Sequence, residues 1–103
     1  MKSAFLSSLG VIAILSAVTA AVGPGPSVLE YPAGTACRTW SDGGDVYLHV
    51  TNFTEVAVSG TVTLNEIFEK LQCVGPRHPA EIDGRWIEIE LPPRAAVTLR
   101  LGK

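Results

Sequence analysis

Hydrophobic and polar side chains alternate with a period of two along much of this chain, which is typical of β-strands with one buried face. The first such run covers 45–52, and a second covers 56–64, with valines and a leucine on one face of each. The four residues Asn52–Glu55 lie between the runs and include a short turn. The simplest arrangement is an antiparallel hairpin made by these two runs.

The last part of the chain contains two further alternating runs, 85–91 and 95–101, joined by Pro92–Arg94. Pairing Leu91 with Ala95 and Ile87 with Leu99 would bring the apolar side chains of both runs together. A slip of one residue would set apolar positions against polar ones. The pattern therefore predicts a terminal hairpin, with Trp86 opposite Arg100 on its other face.

The segments between these runs carry weaker patterns. Asn65 is a suitable N-cap for a single helical turn that would set Ile67, Phe68 and Leu71 on one side, and 73–84 is expected to be a loop. Residues 21–34 are rich in Gly and Pro and are predicted to be an extended leader, with Val28, Leu29 and Tyr31 against the sheet.

No long amphipathic helix is visible after the first segment. We therefore predict an all-β domain over 35–103, a small antiparallel β-sandwich of about five to seven short strands.

The first twenty residues are predicted to be a cleaved signal peptide. A positive end is followed by the uncharged run 4–18, which is too short to span a bilayer as a stop-transfer helix. Val18 and Ala20 are small residues at the positions that signal peptidase reads, and Gly23–Pro26 prevents a helix from continuing. We expect a secreted, extracellular protein.

Charge excludes some classes of partner. The chain has 8 basic and 10 acidic side chains, and loss of the signal peptide removes Lys2 from the basic ones. The mature domain is thus acidic, and we expect neither nucleic acid nor an anionic membrane surface as its partner.

Cys37 and Cys73 are the two cysteines of the chain. An even number in a small exported domain predicts a disulfide bond, which would stabilise the fold by about 3 to 4 kcal/mol in the chain-entropy model. The alternative is a pair of free, buried thiols.

Residues suited to catalysis are sparse. His49 and His78 have no metal-ligand spacing to another ligating residue, and no nucleophile motif or phosphate-binding loop is present. Glu88 and Glu90 would share one strand face, whereas a catalytic pair flanks its substrate from two sides; solvated charges that prevent strand addition explain them. We expect no enzyme activity, no cofactor and no metal.

Two tryptophans and one asparagine are candidates for other roles. Trp86, Arg100 and Trp40 are candidate ligand contacts, because exposed aromatic rings stack on sugar faces; a cation–π contact or burial in an interface would also explain Trp86. Asn52 begins the sequon Asn-Phe-Thr and is a predicted glycosylation site, with an ordinary turn asparagine as the alternative.

The segment 41–52, with its Ser-Asp-Gly-Gly-Asp turn, and the closing segment 91–101, with its Pro-Pro bend, carry a family resemblance. Over 40–101 the chain resembles the C-terminal accessory β-sandwich of secreted glycoside hydrolases of the α-L-arabinofuranosidase and α-galactosidase types. The resemblance implies a domain without catalytic residues that packs against a catalytic barrel.

These observations together predict a small secreted, non-catalytic β-sandwich that binds an extracellular glycan or protein. One alternative is a detached stability domain of a secreted glycoside hydrolase. Another is a secreted effector or inhibitor.

Overall fold

The computed structural model describes residues 22–103, and the predicted signal peptide lies outside them. The described chain is all-β, which confirms the predicted fold class, and it forms two antiparallel sheets. Its eight strands are β1 (Val22–Pro24), β2 (Val28–Glu30), β3 (Thr35–Asp42), β4 (Asp45–Asn52), β5 (Val58–Phe68), β6 (Lys70–Cys73), β7 (Ala80–Leu91) and β8 (Ala96–Gly102). Within this described range there is no helix long and apolar enough to cross a membrane.

The two sheets form the two layers of a sandwich. One has five strands in the order β1-β3-β4-β8-β6, and the other has three in the order β2-β5-β7. The hairpin between β3 and β4 turns at Gly43 and Gly44, whose φ angles are 62° and 95°. Two consecutive residues with positive φ make the kind of tight turn that the strand twist favours and that glycine adopts without strain.

The core lies between the two sheets and is built from alternate residues of the central strands. Every member of this core is at most 3% exposed: Leu48, Val50, Val62, Leu64, Phe68, Ile87, Ile89, Leu91, Val97, Leu99 and Leu101. Removing this apolar surface from water supplies the main stabilisation of the fold. The alternation that predicted strands therefore also identified most of the core.

The predicted terminal hairpin is wrong. β7 pairs with β5, and β8 pairs with β4 and β6, so the two strands belong to opposite sheets. Their apolar faces still meet, but across the core. Trp86 consequently pairs with Thr63, while Arg100 pairs with Tyr47. Facing sheets bury the same alternating positions as a hairpin would, so the pattern alone does not separate the two arrangements.

The predicted hairpin of 45–52 with 56–64 is wrong for the same reason. β4 lies between β3 and β8, whereas β5 belongs to the three-stranded sheet. The connection after Asn52 crosses from one layer to the other. It is held there by backbone hydrogen bonds from Asn52 to Ala95 (2.8 Å) and from Arg94 to Thr54 (3.1 Å).

The helical turn predicted near Asn65 is also absent, because β5 continues through this region to Phe68. The backbone N–H of Asn65 donates to the Ser27 carbonyl at 3.0 Å, and this hydrogen bond joins the strand to the N-terminal segment. Ile67 is 53% exposed and Phe68 is 1% exposed, so the two side chains point to opposite sides. The predicted loop 73–84 is shorter than expected, since β7 begins at Ala80.

The N-terminal segment 22–34 contributes a strand to each sheet. β1 pairs with β3 and β2 pairs with β5. Val28 packs against the core, whereas Leu29 and Tyr31 are more than half exposed, contrary to the expectation that all three would lie against the sheet. Pro32 closely approaches the backbone at Gly60, where a Cβ would lie 2.8 Å from the proline ring.

Candidate functional site

β7 folds back on itself, and its two arms shape the outer surface of the three-stranded sheet. The Glu90 amide donates to the Pro79 carbonyl at 3.2 Å, although eleven positions separate them. Gly84, midway between, has a φ of 67°. The arms 80–83 and 86–90 therefore run side by side, in a register that places Glu81 opposite Glu88 and Asp83 opposite Trp86.

This register agrees with the burial of each position. Ile87 and Ile89 are buried, and Ala80 and Ile82 on the other arm pack against the same core. The intervening side chains must therefore point outward. They are the exposed residues Glu81, Asp83, Trp86, Glu88 and Glu90.

The outward side chains border an open depression that we call the β7 groove, defined by Thr61, Glu81, Asp83, Trp86, Glu88 and Glu90. It consists of two adjoining hollows of about 460 and 420 Å³, which share Thr61, Glu81 and Glu88. Trp86 and Asp83 border the second hollow, and Glu90 with Ser59 borders the first. Thr61 pairs with Glu88 and Ser59 with Glu90 across β5 and β7.

The β7 groove is acidic and is not neutralised by ion pairs within the described part of the chain. The ion pairs found between 22 and 103 join Arg94 to Glu55 and Lys103 to Glu66, and none of these four residues borders the groove. The guanidinium of Arg85 lies 5.9 Å from the centre of the Trp86 ring. Trp86 nevertheless remains 50% exposed.

The other two candidate ligand contacts lie on the opposite face of the sandwich. Trp40, Tyr47, Arg100 and Gln72 form one row across the five-stranded sheet, through the register of β3, β4, β8 and β6. Arg100 donates a hydrogen bond to the side chain of Gln72. The structure thus brings Trp40 and Arg100 to one face and separates both from Trp86.

The Trp40 ring is engaged by its own chain. It stacks on Tyr47 with the ring centres 5.4 Å apart and 16° between the planes. The Arg38 guanidinium lies 5.5 Å from the centre of the same ring. These contacts explain the partial burial of Trp40 and leave Trp86 as the more accessible of the two indoles.

His49 lies in a hydrogen-bonded network on the same outer face. Its Nδ1 is 2.9 Å from the Thr98 hydroxyl and its Nε2 is 3.1 Å from the Thr51 hydroxyl. Both ring nitrogens are therefore occupied by side chains of this sheet. Across residues 22–103, no group of three or more His, Cys, Asp or Glu side chains is placed to hold a metal ion.

The predicted disulfide is wrong, because both cysteines are free thiols. Cys37 lies on β3 and Cys73 on β6, with β4 and β8 between them. Three interstrand spacings separate these strands by about 14 Å, whereas bridged Cα atoms lie within about 7 Å of each other. Burial raises the pKa of the Cys37 thiol, and a hydrogen bond with Thr35 partly opposes the shift.

The structure does not favour a glycan on Asn52, whose side chain is fully buried. Its Nδ2, the atom that would carry the sugar, donates to the carbonyls of Val56 (2.8 Å), Pro92 (3.0 Å) and Leu91 (3.3 Å). Its Oδ1 accepts from the amide and hydroxyl of Thr54 at 2.9 and 2.7 Å. Asn52 and Thr54 of the sequon therefore form a structural turn.

The sequence pattern missed one arm of the β7 groove. It identified Trp86, Glu88 and Glu90, but it assigned Glu81 and Asp83 to a loop. The fold-back at Gly84 has a local signal, since glycine at the first of two central residues between strand-like segments is a turn motif, and that signal would have placed both arms together.

Comparison with protein-family models, with curated proteins and with solved structures finds no match for this chain. The similarity to accessory domains of glycoside hydrolases therefore stays a prediction.

Proposed function

We propose that this protein is a secreted, non-catalytic binding protein and that the β7 groove binds an extracellular glycan. The observation that carries the proposal is the half-exposed Trp86 ring, held on a sheet beside a groove bordered by carboxylates and hydroxyls. An indole presents a large apolar face at low entropic cost. The C–H face of a pyranose ring is a suitable partner for it.

The polar groups of the β7 groove suit the hydroxyls of a sugar. Glu81, Asp83 and Glu88 provide carboxylate oxygens that accept hydrogen bonds, and Thr61 provides a hydroxyl that both donates and accepts. All four belong to strands of one sheet, which holds them more firmly than a loop would. The groove is also open along its length, which suits a polymer better than a small enclosed ligand.

The same geometry argues against hydrolysis at this surface. Glu81 and Glu88 are cross-strand neighbours, with Cβ atoms about 5 Å apart. Both, however, project from the same sheet face in the same direction. A catalytic pair must approach the scissile bond from opposite sides, so binding without cleavage is the function that this arrangement supports.

Retention of the mature domain on insoluble polysaccharides tests the proposal. We expect Trp86→Ala to reduce retention at least tenfold, because it removes the stacking surface. Phe53→Ala is the matched control, since Phe53 is similarly exposed (57%) but does not border the groove. Absence of retention on every polysaccharide, or equal retention of the Trp86→Ala protein, would contradict glycan binding at this site.

A further inference from the structure

We infer that the ligand of the β7 groove is a polycationic amino-sugar polymer, made of units with free protonated amines. This inference rests on the glycan binding proposed above. The inference comes from the charge of the groove combined with the position of Trp86. Four carboxylates border it, from Glu81, Asp83, Glu88 and Glu90, against one guanidinium, that of Arg85, beside the Trp86 ring. The ligand would supply the positive charge that neutralises them.

The arrangement of these carboxylates is costly for the free protein. Glu81 lies opposite Glu88 across the folded β7, and like charges in directly opposed positions destabilise a sheet. A cationic ligand would reduce the repulsion between these carboxylates, and this reduction would make its binding free energy more favourable.

The spacing of the groups suits a linear polymer with a repeated charge. Trp86, Glu88 and Glu90 occupy alternate positions of one strand, so successive side chains lie about 7 Å apart along it. One sugar ring would stack on the indole while the amines of neighbouring units reach the carboxylates. Ammonium–carboxylate hydrogen bonds are about twice as strong as neutral ones.

Neutral and anionic glycans fit this surface less well. An anionic polymer would be repelled by the four carboxylates, and a neutral one would leave their mutual repulsion in place. A single metal ion is not favoured either, because these carboxylates form no cluster placed to hold one within the described residues.

Titration calorimetry with two matched probes tests the inference. The probes are oligomers of glucosamine and fully N-acetylated oligomers of the same length, which differ at the 2-amino group: a protonated amine in the first and a neutral acetamide in the second. We expect the charged oligomer to bind at least tenfold more tightly at low ionic strength, with an advantage that shrinks as salt is added.

Variants separate charge from stacking. We expect Glu88→Gln to weaken binding of the glucosamine oligomer at least threefold and to leave binding of the N-acetylated oligomer nearly unchanged. Trp86→Ala should weaken both. Glu69→Gln is the matched control, because it removes the same charge at an exposed position outside the groove and should change neither.

The outcomes are distinguishable. If neither oligomer nor any polysaccharide binds, glycan binding itself fails. If both oligomers bind equally, glycan binding stands and the amino-sugar inference is overturned. If an oligomer of lysine binds as tightly as the glucosamine oligomer and Trp86→Ala does not weaken either, the groove recognises basic peptide and the inference is equally overturned.

Discussion

Asn52 is predicted to be among the most important polar residues for the stability of this domain. Its side chain is fully buried at the crossing between the two sheets. The amide nitrogen donates to the carbonyls of Val56 and Pro92, and the amide oxygen accepts from Thr54. Asn52→Ala would remove all of these hydrogen bonds at once.

The expected loss of stability follows from the partners that would be left without a hydrogen bond. Val56 is largely exposed, so water can replace the Asn52 side-chain amide as the donor to the Val56 carbonyl. The Leu91 carbonyl is buried and the Thr54 amide is partly buried, and each unsatisfied group of this kind costs about 1–3 kcal/mol. We therefore expect a loss of about 3 kcal/mol. A domain of this size has a total stability of roughly 4–12 kcal/mol.

Urea and thermal unfolding of the domain formed by residues 22–103 measure this effect. We expect a lower urea midpoint with an unchanged slope, and a melting temperature lower by about 12–24 °C. Asn65→Ala is the matched control. Asn65 is exposed, and its side chain accepts one hydrogen bond, from the Ser27 amide at 2.8 Å, so its loss should cost about 1 kcal/mol or less.

The same experiment tests the role of the sequon. If Asn52→Ala is as stable as the Asn65→Ala control, the buried hydrogen-bond network does not hold the crossing and the reasoning fails. Mass measurement of the protein expressed in a host that glycosylates exported proteins gives an independent check. We expect no glycan on Asn52, because Nδ2 faces three carbonyls inside the domain; a glycan there would refute the fold at this crossing.

Three further predictions concern the corrected features. In urea unfolding, Phe68→Ala should destabilise the domain by about 3–5 kcal/mol and Ile67→Ala by under about 1 kcal/mol. Equal losses would favour the helical turn, which sets both side chains on one side, over the strand. Gly60→Ala should cost about 1–3 kcal/mol in the same assay, since its Cβ would strike Pro32, and a neutral effect would contradict the close approach. Thiol titration of the unreduced, denatured protein should find two thiols per chain. In the native protein, alkylation of Cys37 should be slow, because its raised pKa lowers the thiolate fraction; absence of free thiols would overturn the structure at both cysteines.

Sequence patterns alone determined the fold class and most of the buried face of each strand. Alternation identified Leu48 and Val50 on β4 and the apolar positions of β7 and β8, because side chains of a strand point to opposite faces whatever its neighbours are. It also identified Trp86, Glu88 and Glu90 as outward-facing residues. These properties depend only on the period along one strand.

Tertiary structure decided which strands are neighbours, and therefore which residues meet. Ile87 and Leu99 have the same alternating pattern whether their strands pair in one sheet or face each other across the core, since both arrangements bury the same positions. At the crossing between the sheets, the Asn52 side chain donates to Leu91 and Pro92, which are 39 and 40 positions away in sequence. The tertiary structure also separates Trp86 from Arg100, and it places Cys37 and Cys73 too far apart to form a disulfide bond.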